Sequence, residues 1–515
     1  MKTIKNIIQR DFTKLNESTL GKLKRVWAKE IGFIPKNSQV LKICNQLLKK
    51  KKLKSSTNFR SFLTTRKTRT QSGVAPMAVM TKPFVCPGEC IYCPLEKGMP
   101  KSYLSDEPAA QRAKKLGFDP KLQIKSRLKQ LEDTGHITDK IEIIVIGGTF
   151  SAYPGDYKIK FFKAIFDTLN NKTSKNLKQA QELNETAKHR VVGISIETRP
   201  DWVTEKETKL LRRLGVTKVQ LGMQALDDKI LKTIKRGHSV NAITKATMML
   251  KNSGFKICYH FMPNLPGSTP EKDEEMAKTM FLDRRFKPDY LKIYPVQVIA
   301  GTQLHTMFKA GSFKTYSDDV LKQVLKNIKK ITPPWVRIDR LVRDISKQWV
   351  SSGTFTTNIR QVILQELEKA NQPCKCIRCR EIKGSVHSKP ISLKKIIIDT
   401  LGGKEHFLSF EDQGKLYSLL RLRLPSQNQP VLFKALKNAA IIREVHTFGS
   451  ALALKEHRQV KTQHQGLGKK LVGEAEKISK KNGFRKLAVI SAVGTKEYYL
   501  KLGFKKEGLY VTKDI

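Results

Sequence analysis

Residues 86–93 read Cys86-Pro87-Gly88-Glu89-Cys90-Ile91-Tyr92-Cys93, a C-x3-C-x2-C triplet with an aromatic residue just before the last thiol. Three thiolates on one short loop can hold three corners of a [4Fe–4S] cluster and leave the fourth iron open. An open iron accepts a small chelating ligand such as S-adenosylmethionine, which can then be cleaved reductively to a carbon radical. Two plainer readings stand beside this one: a zinc loop, and three unrelated buried thiols. Zinc loops more often pair one C-x2-C unit with a second, or with histidines, and no such partner lies close by.

Downstream of this loop the sequence alternates between strand and helix patterns. Strand-like runs fall at Ile141–Ile146, Val191–Ile196, Lys218–Leu221, Lys256–Phe261 and Tyr290–Tyr294. Amphipathic stretches such as Thr204–Leu214, Ala242–Leu250 and Pro270–Phe286 lie between them. Repeated β-then-α order with strongly apolar strands predicts an α/β unit over residues 71–345, a parallel sheet forming a full or partial (β/α) barrel. Chemistry in such barrels gathers at the C-terminal ends of the strands. There the sequence places Gly147-Gly148-Thr149, Glu197-Thr198-Arg199, Gly222-Met223-Gln224 and His260-Phe261-Met262. A tight turn explains any one of these glycines, but unusual tripeptides at four successive strand ends point to a site.

Upstream, residues 1–70 carry 19 Lys and Arg against 3 Asp and Glu, a net of +16. Short basic helices are predicted there, from Ser18 to Ile31 and from Gln39 to Leu53. Phe59 and Phe62 stand among Arg60, Arg66, Lys67 and Arg69, a mixture that suits base stacking and phosphate binding. Core packing accounts for the same two rings equally well. The whole 515-residue chain holds 98 Lys and Arg against 46 Asp and Glu, a charge of +52. Nucleic acid is the polyanion such a field best matches, with an acidic membrane surface second.

The length implies two to four domains. No apolar run approaches the ~18–20 residues of a membrane span, and the first residues lack the apolar core of a secretory signal. Six of the eight cysteines fall into two tight triplets, leaving Cys44 and Cys258. That usage predicts metal binding in a reducing compartment, hence a cytoplasmic protein. The second triplet, Cys374, Cys376 and Cys379, ends a connector over residues 346–395 that carries one helix, Thr357–Ala370. It reads as a structural zinc site whose fourth ligand comes from elsewhere, with His387 and His260 as candidates. A metal-free thiol cluster is the alternative.

Residues 396–515 form a compact mixed unit. Strand patterns at Tyr417–Leu424 and Ala440–Thr447 precede Gln463-His464-Gln465-Gly466-Leu467-Gly468, which opens a helix running through Lys480. A strand at Lys486–Ser491 and a short helix with Tyr498-Tyr499 follow. A glycine loop at a helix N-terminus turns backbone N–H groups and the positive dipole end toward a pyrophosphate. This motif order is that of the GNAT acetyltransferase fold, which binds acetyl-CoA.

A radical-SAM barrel followed by a GNAT domain is a rare combination, and the chain resembles the family of Elongator's catalytic subunit over nearly its whole length. The resemblance rests on Ser72-Gly73-Val74-Ala75, Val79–Pro83, the triplet at Cys86–Cys93, Gly147–Phe150 and Glu197–Asp201. It continues through Lys292–Pro295, Cys376–Glu381, Gln463–Gly468, Ala488–Gly494 and Tyr498-Tyr499. Three segments depart from the family pattern: Pro94-Leu95-Glu96-Lys97 after the cluster cysteines, Thr149 after Gly148, and Ser151-Ala152-Tyr153-Pro154. The residue that meets the S-adenosylmethionine amino group is therefore unassigned, with Glu197 a candidate.

The resemblance implies a reaction at the wobble uridine of the tRNA anticodon stem-loop. A 5′-deoxyadenosyl radical takes hydrogen from the methyl of acetyl-CoA, and the carbon radical adds to C5 of the base. Electron loss and thioester hydrolysis then leave a carboxymethyl group. It further implies that Cys86, Cys90 and Cys93 hold the cluster, that Lys140 contacts acetyl-CoA at its phosphates or its thioester carbonyl, and that Tyr499 lies near the thioester. Glu444, Val445, His446 and Thr447 would meet the pantetheine, and Leu467, Gly468 and Lys469 the pyrophosphate. The sequence leaves open whether the chain acts alone, as a homodimer or in a larger Elongator-like assembly. A lysine N-acetyltransferase with a structural Fe–S domain is the competing reading.

Overall fold

A computed structural model describes residues 3–49, 59–66, 70, 72–354, 356, 358–382, 391–427, 429–449 and 466–515. Its first sheet is wholly parallel, built from β1 (Ala75–Met80), β2 (Lys140–Ile146), β3 (Arg190–Thr198), β4 (Lys218–Gln224), β5 (Lys256–Phe261) and β6 (Tyr290–Ile293). A two-residue strand β7 (Val298–Ile299) pairs with β9 (Val350–Ser352), while β8 (Arg337–Arg340) joins β6 as the seventh and last strand of the open barrel. The connecting helices start where the sequence supplies short polar caps. Thr204, Ser239, Thr269 and Ser317 each accept a backbone N–H from the first turn they precede.

The second sheet runs in the order β10 (Ser392–Thr400), β11 (Gly403–Asp412), β12 (Lys415–Pro425), β13 (Ala439–Thr447), β14 (Lys486–Val489), β16 (Tyr510–Asp514), β15 (Lys505–Glu507). All neighbours are antiparallel except β13 and β14, which pair in parallel only from Ala439 to Ile442. Beyond Ile442 the two strands part. β13 continues to Thr447, still paired with β12, while β14 stops at Val489, which opens a wedge between β13 and β14.

The barrel and the second sheet share one apolar core. Ile441, Ala488, Ile490, Val493 and Tyr510 belong to the same buried cluster as the barrel strands. Across this seam runs a buried ionic network. Arg443 pairs with Asp289 at 2.5 Å and with Glu405 at 2.8 Å, Arg421 with Glu444 at 2.8 Å, and Lys251 with Glu405 at 3.4 Å. The N-terminal helices Ile4–Arg10, Leu20–Ile31 and Asn37–Lys49 close over their own core around the fully buried Trp27. Phe59 and Phe62 belong to that core, so their rings pack inward and do not stack on a ligand. Lys22, Arg25, Lys29, Lys36 and Lys42 face solvent.

Candidate active site

Cys86, Cys90 and Cys93 lie on the loop leaving β1, all three as free thiols. The loop is anchored from both sides of the barrel. Ile91 N–H donates to Ile234 O, and Leu304 N–H donates to Ile91 O. Thr149, of the glycine turn after β2, stands 3.7 Å from Cys86 Sγ.

Two buried guanidinium groups flank Cys90. Arg236 Nη1 donates to Cys90 Sγ at 3.3 Å, while its Nε and Nη2 are held on Gly222 O. A hydrogen bond with Cys93, then the charge of Arg236, draws the Cys90 thiol well below its ordinary value against the burial that opposes it. Arg199 is clamped by Asp201 and Gly237 O, and its buried Nη1 has no partner among the described residues. A Cβ on Gly88 would meet that nitrogen at 2.4 Å.

Among the described residues these three sulfurs do not gather within 4.8 Å, as ligands of a single ion would. Thiols that do not all close around one point, cationic surroundings and a donor left over among the described residues fit an anionic iron–sulfur cluster and its ligand better than a zinc ion.

Inside the barrel a cavity of about 1340 Å³ extends from these cysteines toward the second sheet. Its wall is charged where a closed barrel would hold aliphatic layers. Lys218 bonds Glu142 at 2.7 Å, Lys292 stands 3.5 Å from Glu197, and Tyr103 OH donates to Glu197 at 2.6 Å. Burial would raise the Glu142 carboxyl, but Lys218 and Lys256 hold it down to about 2. His260, hydrogen-bonded to Gln220, is kept neutral by burial and by the charges of Lys292 and Arg236. Glu197 thus already has two partners and still faces the cavity.

A second cavity of about 280 Å³ fills the wedge between β13 and β14. It brings together Lys140, Glu444, Val445, His446, Thr447 and Tyr499, six of the residues singled out from the sequence. Burial lowers the Lys140 amine to about 8, with Asp139 pulling the other way. Tyr499 is buried, while Tyr498 is exposed on the next position of the same short helix, Lys496–Leu500. Leu467, Gly468 and Lys469 do not line this cavity; they form the first turn of the helix Leu467–Lys481, entered through a left-handed Gly466. A Cβ on Gly468 would stand 2.7 Å from Tyr498 Oη and 3.7 Å from Val445, which places that turn beside the wedge. The residues 463–465 that precede it lie outside the described residues.

The two cavities share a wall. Ser72, Val74, Val192, Lys256, Glu444 and His446 line both. His446 Nε2 lies 2.8 Å from Ser72 O, and Lys256 Nζ 3.7 Å from the Glu444 carboxylate. Sequence reading marked Arg199, within the strand-end tripeptide Glu197-Thr198-Arg199, but singled out none of Lys256, Lys218, Glu142 and Arg236. A charged residue within an otherwise apolar parallel strand, as in Ile141-Glu142-Ile143, is the signal that marks Glu142, whereas Lys218 and Lys256 open their strands and carry no such mark.

Cys374, Cys376 and Cys379 come together around the short helix Ile377–Arg380 at the junction of the sheets, with their sulfurs within 4.8 Å of one another, and Cys374 and Cys379 also line the large cavity. His260 is in the barrel on Gln220 and is not part of this group, and His387 lies outside the described residues.

A cysteine loop of this form at the mouth of an open parallel barrel defines a radical-SAM enzyme. The chain matches the Radical SAM superfamily over residues 81–280 and the Radical_SAM C-terminal domain over residues 288–369. It is 43% identical to the tRNA uridine(34) acetyltransferase of Dehalococcoides mccartyi, covering 87% of this chain and 99% of that protein. It is 38% identical to human Elongator complex protein 3, over 86% of this chain and 85% of the relative. The solved structure of Methanocaldococcus infernus Elp3, lacking its N-terminus, superposes with a TM-score of 0.76 at 40% identity over 86% of this chain and 99% of that one. The chain belongs to the family of tRNA uridine(34) acetyltransferases and Elongator complex protein 3. Membership in the Radical SAM superfamily implies a [4Fe–4S] cluster and S-adenosylmethionine. Among the described residues no helix is long and apolar enough to cross a membrane.

Proposed function

We propose that this chain carboxymethylates C5 of the wobble uridine of tRNA, with acetyl-CoA as the donor. The observation that carries the reading is the wall shared by the two cavities. It allows an acetyl group held in the β13–β14 wedge to reach toward the barrel, where a radical would be made. An unactivated methyl C–H resists every side-chain base near neutral pH. The cluster and S-adenosylmethionine, held by Cys86, Cys90 and Cys93, would supply the carbon radical that opens it.

The protein's own residues then position and polarise. Backbone groups of Glu444–Thr447 hold the pantetheine, and the helix turn Leu467-Gly468-Lys469 faces the pyrophosphate. Lys140 and Tyr499 stand at the thioester, where a cation or a hydroxyl can polarise the carbonyl for hydrolysis. The uridine must leave its stack to reach the barrel cavity. Exposed lysines and arginines of the N-terminal helices, together with Arg112 and Arg340 on the cavity wall, supply phosphate contacts that fix the anticodon stem-loop without reading sequence. Cys374, Cys376 and Cys379 hold a structural zinc. The setting is cytoplasmic, and the chain works either by itself, as a homodimer or within an Elongator-like assembly.

The test is an anaerobic reaction of reconstituted protein with bulk tRNA, S-adenosylmethionine, acetyl-CoA and dithionite, read by nucleoside mass spectrometry. A 5-carboxymethyluridine product that requires both small molecules is expected. Cleavage of S-adenosylmethionine and binding of tRNA without that product would overturn the assignment of donor or base.

A further inference from the structure

The cysteine loop has two faces. Cys86, Cys90 and Cys93 all line the large cavity, whereas Phe84, Val85 and Leu95 do not, and these three side chains are exposed. Val85 at 81% and Leu95 at 79% are the two most exposed large apolar side chains among the described residues. One directly precedes Cys86 and the other follows Cys93 by two positions. Apolar side chains exposed singly need no explanation, but several gathered on one loop mark an interaction surface. Its aromatic member is held stiffly. Phe84 stacks on Tyr153 with ring centres 4.8 Å apart, and Tyr153 stacks on Tyr157 at 5.0 Å. Tyr153 Oη donates to Lys82 O at 2.6 Å and Lys82 N–H donates to Tyr157 Oη at 3.1 Å, which pins the column to the backbone leaving β1.

Positive charge is in excess around this face. Lys82, Lys97 and Lys235 are exposed, the last on the turn whose Ile234 O accepts the Ile91 N–H. Of the acids on the loop, Glu89 is exposed, while Glu96 accepts the Ser105 N–H and pairs with Lys114 at 3.4 Å. An apolar centre with a cationic rim suits a small, transient interface with an acidic protein. Val85 and Leu95 offer no ring face for a base and no donor for a phosphate, which favours protein over RNA as the occupant.

We propose that this outer face of the cysteine loop docks a small, acidic, low-potential one-electron carrier protein, which reduces the cluster from the side away from the substrates. This role rests on the [4Fe–4S] reading of Cys86, Cys90 and Cys93 and is independent of which base is modified. One electron leaves the carrier and enters the cluster. The carrier is oxidised, the cluster is reduced, and no bond forms or breaks.

The position explains why an outer entry is useful. The large cavity has to admit S-adenosylmethionine and the substrates, so a protein cannot approach the cysteines from that side once the site is loaded. The same loop that carries the thiols on its inner face carries Val85 and Leu95 on its outer face, so the electron has one chain segment to cross.

The experiment uses the full chain, reconstituted anaerobically with iron and sulfide, as wild type, the double variant Val85→Ser/Leu95→Ser, and Lys97→Glu. Fully reduced bacterial flavodoxin, an acidic flavoprotein, is the probe, and dithionite is the small-molecule control. Rapid-freeze EPR follows the reduced cluster with no tRNA present. Flavodoxin is expected to reduce the double variant about tenfold more slowly than the wild type, as loss of central apolar anchors commonly does, while dithionite reduces both at the same rate. Wild-type reduction by flavodoxin should slow with added salt, and Lys97→Glu should weaken that dependence. Equal rates with flavodoxin in wild type and double variant overturn the docking role and spare the cluster reading. If the double variant also responds poorly to dithionite, hydrogen exchange on the wild type decides. Oxidised flavodoxin must then protect residues 84–97, and protection elsewhere, or none, overturns the proposal. Protection of the same residues by tRNA and not by flavodoxin makes the face an RNA surface and overturns it as well. A reconstituted wild type that holds no reducible cluster overturns both the docking role and the cluster reading.

Discussion

Lys256 Nζ lies 3.7 Å from the Glu444 carboxylate, and the two residues come from different sheets, β5 and β13. They meet in the wall between the two cavities, so one ion pair both joins the sheets and borders both proposed substrate spaces. Glu444 also takes Arg421 at 2.8 Å and the Tyr290 hydroxyl. Burial would raise its carboxyl, but Lys256 and Arg421 hold it down to about 2.

Glu444→Gln leaves the buried Arg421 and the half-buried Lys256 with one counter-charge fewer. Breaking a buried pair from one side costs about 3–5 kcal/mol. A lower urea midpoint at unchanged slope is the expected result. The depressed carboxyl also fixes the direction with pH: its contribution is full above the unfolded value near ~4.3 and fades as pH falls toward about 2. The difference in stability between wild type and variant should shrink in that acid range, and a constant difference would refute the charge argument.

Lys140 gives a prediction on the alkaline side. Burial lowers its amine to about 8, so the cation is present at pH 7 and disappears as pH rises through about 8. If the cation holds acetyl-CoA, the KM for acetyl-CoA in the tRNA-dependent reaction rises between pH 7 and 9. Lys140→Arg keeps the charge and should flatten that rise, whereas Lys140→Met should show a high KM throughout. A wild-type KM independent of pH over this range would remove Lys140 from the binding step.

The barrel was legible because its strands are apolar runs with helices between them, as at Ile141–Ile146 and Lys256–Phe261. The β13 strand and the first turn of Leu467–Lys481 were legible for a similar reason, since strand alternation and a glycine-opened helix are local patterns. β8 was hidden because Arg337-Ile338-Asp339-Arg340 is too short and too charged to read as a buried strand. β10 also escaped notice; residues 392–395 fell inside what read as a connector. Arg236 carries no sequence signal at all. It is far along the chain from the cysteine it touches, and only the fold joins them.

Gly88 tests how tightly the cysteine loop is cast. A Cβ there would come within 2.4 Å of Arg199 Nη1, and Arg199 is fixed by Asp201 and Gly237, so it cannot swing aside cheaply. Gly88→Ala should lower iron per chain after anaerobic reconstitution while leaving the far-UV spectrum unchanged. Gly21→Ala is the control: it meets nothing within 4 Å, lies inside the helix Leu20–Ile31, and should stabilise by up to about 1 kcal/mol. Full iron loading in Gly88→Ala would mean that the loop and Arg199 yield together.

Arg236 bears on the electron that starts the reaction. Its Nη1 donates to Cys90 Sγ at 3.3 Å, and Gly222 O fixes the rest of the fork, so the charge cannot drift from the thiolate. A hydrogen bond to a ligating sulfur and a nearby cation both favour the reduced, more negative cluster. Arg236→Met removes both and should move the midpoint potential to more negative values, read by an EPR-monitored redox titration of the reconstituted protein. Arg236→Lys keeps the charge but not the fork, and should fall between wild type and Met. Cleavage of S-adenosylmethionine by a fixed concentration of dithionite should slow in the same order. A midpoint that stays put in Arg236→Met, at full iron content, would show that the guanidinium only braces the loop. The slower cleavage would then have to come from a displaced cluster rather than from its potential.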